Sequence, residues 1–90
     1  MRYVKKTPKT IFDPRYGKIV SYLVKIRNMK GFTQRSFETK SGYTKCFITR
    51  TELKERRLDF IEIIDYMKHL GLTKKEIKVK LAEWADMFVE

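Results

Sequence analysis

The stretch Gly31–Leu58, GFTQRSFETKSGYTKCFITRTELKERRL, decides the predicted fold of this chain. It contains two short helix-forming runs separated by a tight turn at Gly42, and basic residues follow the second run. Thr33 precedes the first run and Thr44 precedes the second, and threonine is a favoured helix N-cap. The pattern is typical of a helix-turn-helix over about residues 33–53, a motif whose second helix enters the major groove of DNA.

The same signals set the bounds of the two helices. The first is predicted over residues 34–40 and the second over residues 45–53, where Ile48 is the clearest inward-facing residue. Ser41 and Gly42 form the turn between them, because glycine adopts a positive φ at little steric cost.

A longer helix is predicted before this stretch. Asp13 followed by Pro14 is a strong start signal, since Asp is a good N-cap and Pro suits the first helical position. Apolar residues recur at spacings of three and four up to about Lys30, and Gly31 closes the helix.

Two more helices are predicted after it. Asp59 with Glu62, and Thr73 with Glu76, have the spacing of capping boxes. The expected architecture is all-α: a compact five-helix domain over residues 13–90, with no second domain.

Residues 1–12, MRYVKKTPKTIF, are predicted to form a basic N-terminal arm. The arm has four Lys or Arg residues, and Pro8 disfavours a continuous helix there. Two interpretations stay open: the arm reaches a DNA groove or backbone, as other basic arms do, or it is disordered.

Charge and composition restrict the function. Residues 1–57 hold 16 Lys or Arg against 4 Asp or Glu, whereas residues 58–90 hold 5 against 7. This asymmetry indicates a polyanionic partner for the first part of the chain. Cys46 and His69 are the only residues of their types, so neither a disulfide, a Cys- or His-rich metal site nor a catalytic constellation is expected. We therefore expect a cytoplasmic, nucleoid-associated protein that is not an enzyme, with no cofactor, no metal, no membrane span and no small-molecule substrate.

The sequence also resembles a known family. Residues 23–34, LVKIRNMKGFTQ, are similar to the Leu-x-x-x-Arg-x-x-x-Gly-[Leu/Phe]-Thr-Gln motif of lambda-repressor/Cro-like helix-turn-helix domains, the XRE family. Residues 40–42, KSG, match its turn, and residues 47–52 and 55–59, FITRTE and ERRLD, resemble one of its subgroups. The resemblance covers about residues 16–72 and implies a lambda-repressor-like fold.

The resemblance implies roles for individual residues. Gln34 would contact a phosphate and brace the third helix. The positions that face bases in the family are occupied by Lys45, Cys46, Thr49 and Arg50. The expected phosphate contacts are Gln34, Arg35, Thr44, Lys54, Arg56 and Arg57. For Arg56 and Arg57, pairing with Glu52 or Glu55 is an open alternative. Phe47 either wedges against DNA or packs locally.

Three residues depart from the family pattern. Glu38 stands where a small Ala is usual, and Thr51 and Ser41 stand where apolar residues are more common. A carboxylate at position 38 is expected either to tilt outwards or to pair with a cation.

The sequence therefore predicts a sequence-specific, repressor-like transcriptional regulator of bacterial or phage type that binds double-stranded DNA as a homodimer. The dimer interface is expected on the fifth helix at Trp84, Met87 and Phe88. The alternative is a protein-interaction module on the same fold, antitoxin-like or regulator-binding, with weak or no DNA binding. A third possibility is an RNA-binding or nucleoid-coating protein with little sequence preference.

Overall fold

A computed structural model describes residues 13–89 and shows five α-helices, with no β-strand in that range. They are α1 (Pro14–Met29), α2 (Gln34–Ser41), α3 (Phe47–Glu52), α4 (Phe60–His69) and α5 (Lys74–Phe88). The prediction of an all-α, five-helix chain is confirmed. The predicted basic arm, residues 1–12, lies outside the described residues. Within residues 13–89, none of the helices has the length and apolar character needed to traverse a bilayer.

The first helix begins at the predicted Asp-Pro pair. The Asp13 carboxylate accepts hydrogen bonds from the Arg15 side chain and from the Arg15 backbone N–H, the latter at 2.8 Å. These two bonds, the side-chain one first, lower the pKa of Asp13 to about 2, since they favour its ionised form. The helix ends at Met29, and Gly31 follows with a φ of 82°. The predicted start and end are therefore confirmed to within one residue.

Three other helices begin with capping boxes. In each box the N-cap side chain accepts the backbone N–H three residues later, and the side chain of that later residue accepts the N-cap N–H. The pairs are Thr33–Ser36 for α2, Asp59–Glu62 for α4 and Thr73–Glu76 for α5. The last two boxes were predicted from their spacing. The first was missed because Ser36 replaces the usual Glu or Gln.

The chain divides into two compact units, Met1–Arg57 and Leu58–Glu90. The first unit coincides with the strongly basic part of the sequence. Within it α3 packs against α1 and α2. Its buried apolar side chains are Tyr16, Ile19, Val20, Leu23, Phe37 and Ile48. The inward position of Ile48 is confirmed. In the second unit the buried apolar side chains are Leu58, Tyr66, Met67, Leu70 and Ile77.

Thr51 introduces a polar atom into the core of the first unit. Its side chain is 1% exposed, and among the described residues its Oγ1 has no hydrogen-bond partner. A buried hydroxyl without a partner carries a desolvation cost. We expect Thr51→Val to stabilise the protein by about 1 kcal/mol, because it removes the hydroxyl and keeps the β-branched shape. The midpoint of urea unfolding should rise while the slope stays the same.

Thr39→Val is the matched control for this substitution. Thr39 is exposed on α2, so its replacement should change stability by less than about 0.5 kcal/mol. If Thr51→Val lowers the urea midpoint, the Thr51 hydroxyl is satisfied in solution and the expectation is wrong.

Candidate nucleic-acid interface

The turn between α2 and α3 is built on a left-handed glycine. Gly42 has a φ of 76°, and its N–H donates to the backbone carbonyl of Glu38. The N–H of Tyr43 donates to the same carbonyl at 3.1 Å. A side chain at position 42 would strain this backbone conformation, which explains why glycine stands there. The turn predicted at Gly42 is therefore confirmed, whereas Ser41 is the last residue of α2 rather than part of the turn.

The start of α3 differs from the prediction. The helix spans Phe47–Glu52 rather than residues 45–53, and Thr44 is not its N-cap. The backbone carbonyl of Thr44 instead accepts the Phe47 N–H at 3.1 Å in a turn. Cys46 holds the N-cap position with a φ of 70°, and its side chain makes no capping bond. Lys45 and Cys46 therefore lie in the turn before α3, not in its first helical turn.

Glu38 supplies the missing cap from another helix. Its Oε2 accepts the backbone N–H of Ile48 at 2.9 Å. A carboxylate at this position also interacts favourably with the positive end of α3. The expectation that Glu38 tilts outwards or pairs with a cation is therefore wrong: its partner is a backbone donor. This contact explains how α3 begins without a cap from its own N-cap side chain.

A hydrogen-bonded network joins the first three helices. The Arg27 guanidinium donates two bonds to the Glu52 carboxylate, Nε to Oε2 at 2.6 Å and Nη2 to Oε1 at 2.9 Å. Its Nη1 donates to the Phe32 carbonyl at 2.7 Å. The Arg27 and Glu52 side chains are each 8% exposed, so this ion pair is buried.

Gln34 extends the network towards the surface. Its Nε2 donates to Glu52 Oε1 at 2.8 Å, and its Oε1 accepts the Thr49 hydroxyl at 2.8 Å. The predicted bracing of the third helix by Gln34 is confirmed. Both polar atoms of the Gln34 amide have partners within the chain, and the amide orientation is fixed by them. Sequence reasoning did not place Arg27 in the network, since 25 residues separate it from Glu52.

The predicted base-facing residues differ in exposure. Lys45, Cys46 and Arg50 are exposed, whereas Thr49 is half-buried and its hydroxyl is used by Gln34. Lys45, Cys46 and Thr49 line one open groove of about 450 Å³. The other residues that line it are Gln34, Arg35, Glu38, Thr39 and Tyr43. The structure thus brings three of the four predicted base contacts together with two of the predicted phosphate contacts.

The chain was compared with family models, curated proteins and solved structures. None of them matches it. The similarity to the XRE family therefore stays a prediction from the sequence motifs.

A row of four aromatic rings in contact, with a cation near each end, supports the turn. The rings of Phe32, Phe37, Tyr43 and Phe47 follow one another, with successive centroids 5.4, 5.9 and 4.6 Å apart. The Lys40 ammonium lies 5.3 Å from the Phe32 ring and the Arg56 guanidinium 4.8 Å from the Phe47 ring. The local packing of Phe47 is thereby confirmed. Tyr43 and Lys40 were not predicted as site residues, because Tyr43 contacts Phe37 across the turn and Lys40 contacts Phe32 eight residues earlier in the chain.

The remaining phosphate candidates lie on the surface of the first unit. Arg35, Thr44, Lys54 and Arg57 are exposed. Arg56 is half-buried against Phe47, which orients its guanidinium. The carboxylate of Glu52, one of the intramolecular partners considered for these arginines, holds Arg27 and Gln34.

The dimer candidates lie on α5, in the second unit. Trp84 and Met87 are half-buried and Phe88 is 42% exposed. Among residues 13–89, no three His, Cys, Asp or Glu side chains are grouped as they would be to hold a metal ion.

Proposed function

We propose that this chain is a small, repressor-like transcriptional regulator of bacterial or phage type that binds double-stranded DNA sequence-specifically as a homodimer. It acts in the cytoplasm on the nucleoid and needs no cofactor. The observation that carries the proposal is the fixed geometry of α2, the Gly42 turn and α3. α3 is held by the Gln34–Thr49 bond and by the Glu38–Ile48 bond.

The polar side chains around α3 have suitable chemistry for reading DNA. Lys45, two residues before α3, and Arg50, within α3, are exposed, and Lys and Arg donate well to guanine O6 and N7. Thr49 offers its methyl group, because its hydroxyl already donates to Gln34. A threonine methyl suits the methyl group of thymine.

Phosphate binding is supported by the distribution of charge. The first unit coincides with the part of the chain that has 16 basic residues against 4 acidic ones. Arg35, Lys54 and Arg57 are exposed on it. Such contacts set the position of a protein on the duplex without specifying its sequence.

One observation favours the second candidate, a protein-interaction module on the same fold. Glu38 lines the same groove as Lys45 and Cys46. A negative charge there repels phosphate and favours a cationic group of a protein partner. The two candidates differ in their response to salt, since phosphate binding releases counterions.

The test is fluorescence anisotropy with a random duplex across a salt series. For about 6–10 phosphate contacts, affinity should fall by about 10³–10⁵ between roughly 50 and 200 mM salt. Selection from a random duplex pool should then enrich a palindrome with half-sites about 34 Å apart. Absence of binding at the lowest salt concentration would reject the DNA-binding proposal and leave the interaction module.

Lys45→Ala and Arg50→Ala test base contact on the selected duplex. Each is expected to weaken binding by about 1–3 kcal/mol and to relax the preference at one base pair, because a guanine contact is lost. Repeating the selection with each variant measures this. Lys25→Ala, at an exposed position on α1, is the charge-matched control and should keep the full preference. An equal loss of affinity for all sequences would assign Lys45 or Arg50 to phosphate instead.

A further inference from the structure

A groove with an apolar floor and a basic rim lies in the second unit, lined by residues of α4, of α5 and of the loop between them. It has a volume of about 600 Å³. Its floor is formed by the buried Ile77 and the half-buried Ile64 and Leu72. Its rim is formed by three exposed lysines, Lys68, Lys74 and Lys78. An open apolar groove of this kind is typical of a binding site.

The three rim lysines have no anionic partner within the part of the chain that the structure describes. Lys80, on another face of α5, instead pairs with Glu83 at 2.7 Å. By helical spacing the acidic residues of α5, Glu76, Glu83 and Asp86, lie away from the groove, and no acidic residue lines it. Three ammonium groups around one groove repel one another, so the rim favours an occupant that carries carboxylates.

The face of α5 that lines the groove continues beyond it. Lys74, Lys78, Leu81 and Ala85 are spaced by four, three and four residues, and we call this line the α5 ridge. Leu81 is half-buried and Ala85 is exposed. Residues with this spacing form one line along a helix, and a second helix packs well on such a line. The ridge is about 17 Å long, which suits a helix better than a small molecule.

A second copy of this chain would not supply the missing charge. In an isologous contact the same surface of both copies is paired. The groove and the α5 ridge contain no acidic residue, so the lysines of both copies would stay without anions. The occupant that fits this surface is therefore a different molecule.

We propose that an acidic, amphipathic helix of a partner protein binds in this groove and along the α5 ridge. Its carboxylates lie against the three rim lysines, and its apolar side chains cover the groove floor and Leu81. The small side chain of Ala85 lets the two helices approach closely. Helices that bind in grooves use apolar anchors at this spacing. The site uses residues of the second unit alone, so it does not depend on DNA binding by the first unit.

The test uses a synthetic helical peptide as long as α5, 15 residues. Its leucines alternate at spacings of three and four, with glutamates beside them, and a second peptide has lysine at every glutamate position. Fluorescence anisotropy with the full chain measures affinity, and NMR of the backbone amides locates the contact. The glutamate peptide should bind at least about tenfold more tightly than the lysine peptide. The largest shift changes should lie at Lys68, Lys74 and Leu81.

Three variants separate this contact from general attraction to a chain of net charge +10. Lys74→Glu/Lys78→Glu should weaken binding of the glutamate peptide at least about tenfold and make the lysine peptide the better ligand. Ala85→Arg adds positive charge, yet it should produce a comparable loss, because a large side chain on the α5 ridge keeps the helices apart. Lys18→Glu/Lys25→Glu, at exposed positions of α1, is the charge-matched control and should keep most of the affinity.

The α5 variants are not expected to unfold the chain. The new glutamates lie in the first turns of α5, where negative charge is favourable, and Ala85 is exposed. Far-UV circular dichroism should therefore show full helix content for each variant.

The inference is overturned if the glutamate peptide does not bind, if Ala85→Arg binds it as tightly as the wild-type chain, or if the Lys18/Lys25 control loses it equally. Two other occupants would overturn it as well. A dimer of the free chain that Ala85→Arg dissociates in sedimentation equilibrium would assign the α5 ridge to a second copy. Tighter binding to phosphatidylglycerol vesicles than to the glutamate peptide, lost in Lys74→Glu/Lys78→Glu, would assign it to an anionic membrane.

Discussion

Arg27→Met is expected to destabilise the protein by about 3–5 kcal/mol, because it leaves the Glu52 carboxylate buried without its cation. Arg27 is 7% exposed, and its guanidinium makes three hydrogen bonds, two to Glu52 and one to the Phe32 carbonyl. A domain of this size has a total stability of roughly 5–15 kcal/mol, so the loss is a large share of it. Urea unfolding followed by circular dichroism measures the effect.

Further variants show whether the loss of stability in Arg27→Met comes from the buried ion pair with Glu52. Arg27→Lys keeps the charge but loses the bidentate geometry, so its loss should be intermediate. Arg27→Met/Glu52→Leu removes both charges and should recover much of the stability, since an apolar pair can replace a buried ion pair. Arg15→Met is the matched control for Arg27→Met, because Arg15 pairs with Asp13 at the surface rather than in the interior. Its cost should be much smaller, because solvent and salt screen an exposed ion pair. If Arg27→Met costs no more than Arg15→Met, the network does not hold α3.

Glu38→Ala is expected to destabilise the protein by about 1.5–3 kcal/mol, which is the range for a hydrogen bond to a charged group. The substitution leaves the N–H of Ile48 without the acceptor at 2.9 Å. Because the Cys46 side chain makes no capping bond, α3 then has no side-chain cap at its start. The amide of Ile48 should exchange with deuterium faster than in the wild-type chain. Hydrogen exchange by NMR, together with urea unfolding, measures both effects.

Glu38→Gln keeps an acceptor oxygen and should recover part of the loss, without the contribution of the charge to the helix dipole. Glu55→Ala is the matched control, because Glu55 is an exposed carboxylate shortly after α3. It should change stability by less than about 0.5 kcal/mol. An unchanged exchange rate at Ile48 in Glu38→Ala would show that α3 begins without help from α2.

The positions of the helices could be predicted because their signals are local. The cap at Asp13, the boxes at Asp59 and Thr73 and the left-handed glycine at position 42 each act within four residues. Such interactions stabilise the same short segments in any tertiary context. The one local prediction that failed was the cap at Thr44.

That failure has a tertiary cause. A threonine before a helical run predicts an N-cap, yet α3 begins at Phe47, where Glu38 reaches Ile48 from ten residues earlier in the chain. The contacts within the candidate site also depend on the tertiary structure. The motif predicted that Gln34 braces the third helix, but not that it would bind both Glu52 and Thr49.

The sequence by itself determined five helices, the N-caps of all but α3, the turn at Gly42 and the basic character of residues 1–57, because these depend on local propensity and on charge. Only the tertiary structure decided where α3 begins, which cation neutralises Glu52 and which surface of Thr49 is left for a ligand. Those outcomes depend on pairs 10 to 25 residues apart, between Glu38 and Ile48, Gln34 and Thr49, and Arg27 and Glu52. No local pattern encodes such a pair, because the folded chain must first bring its members together.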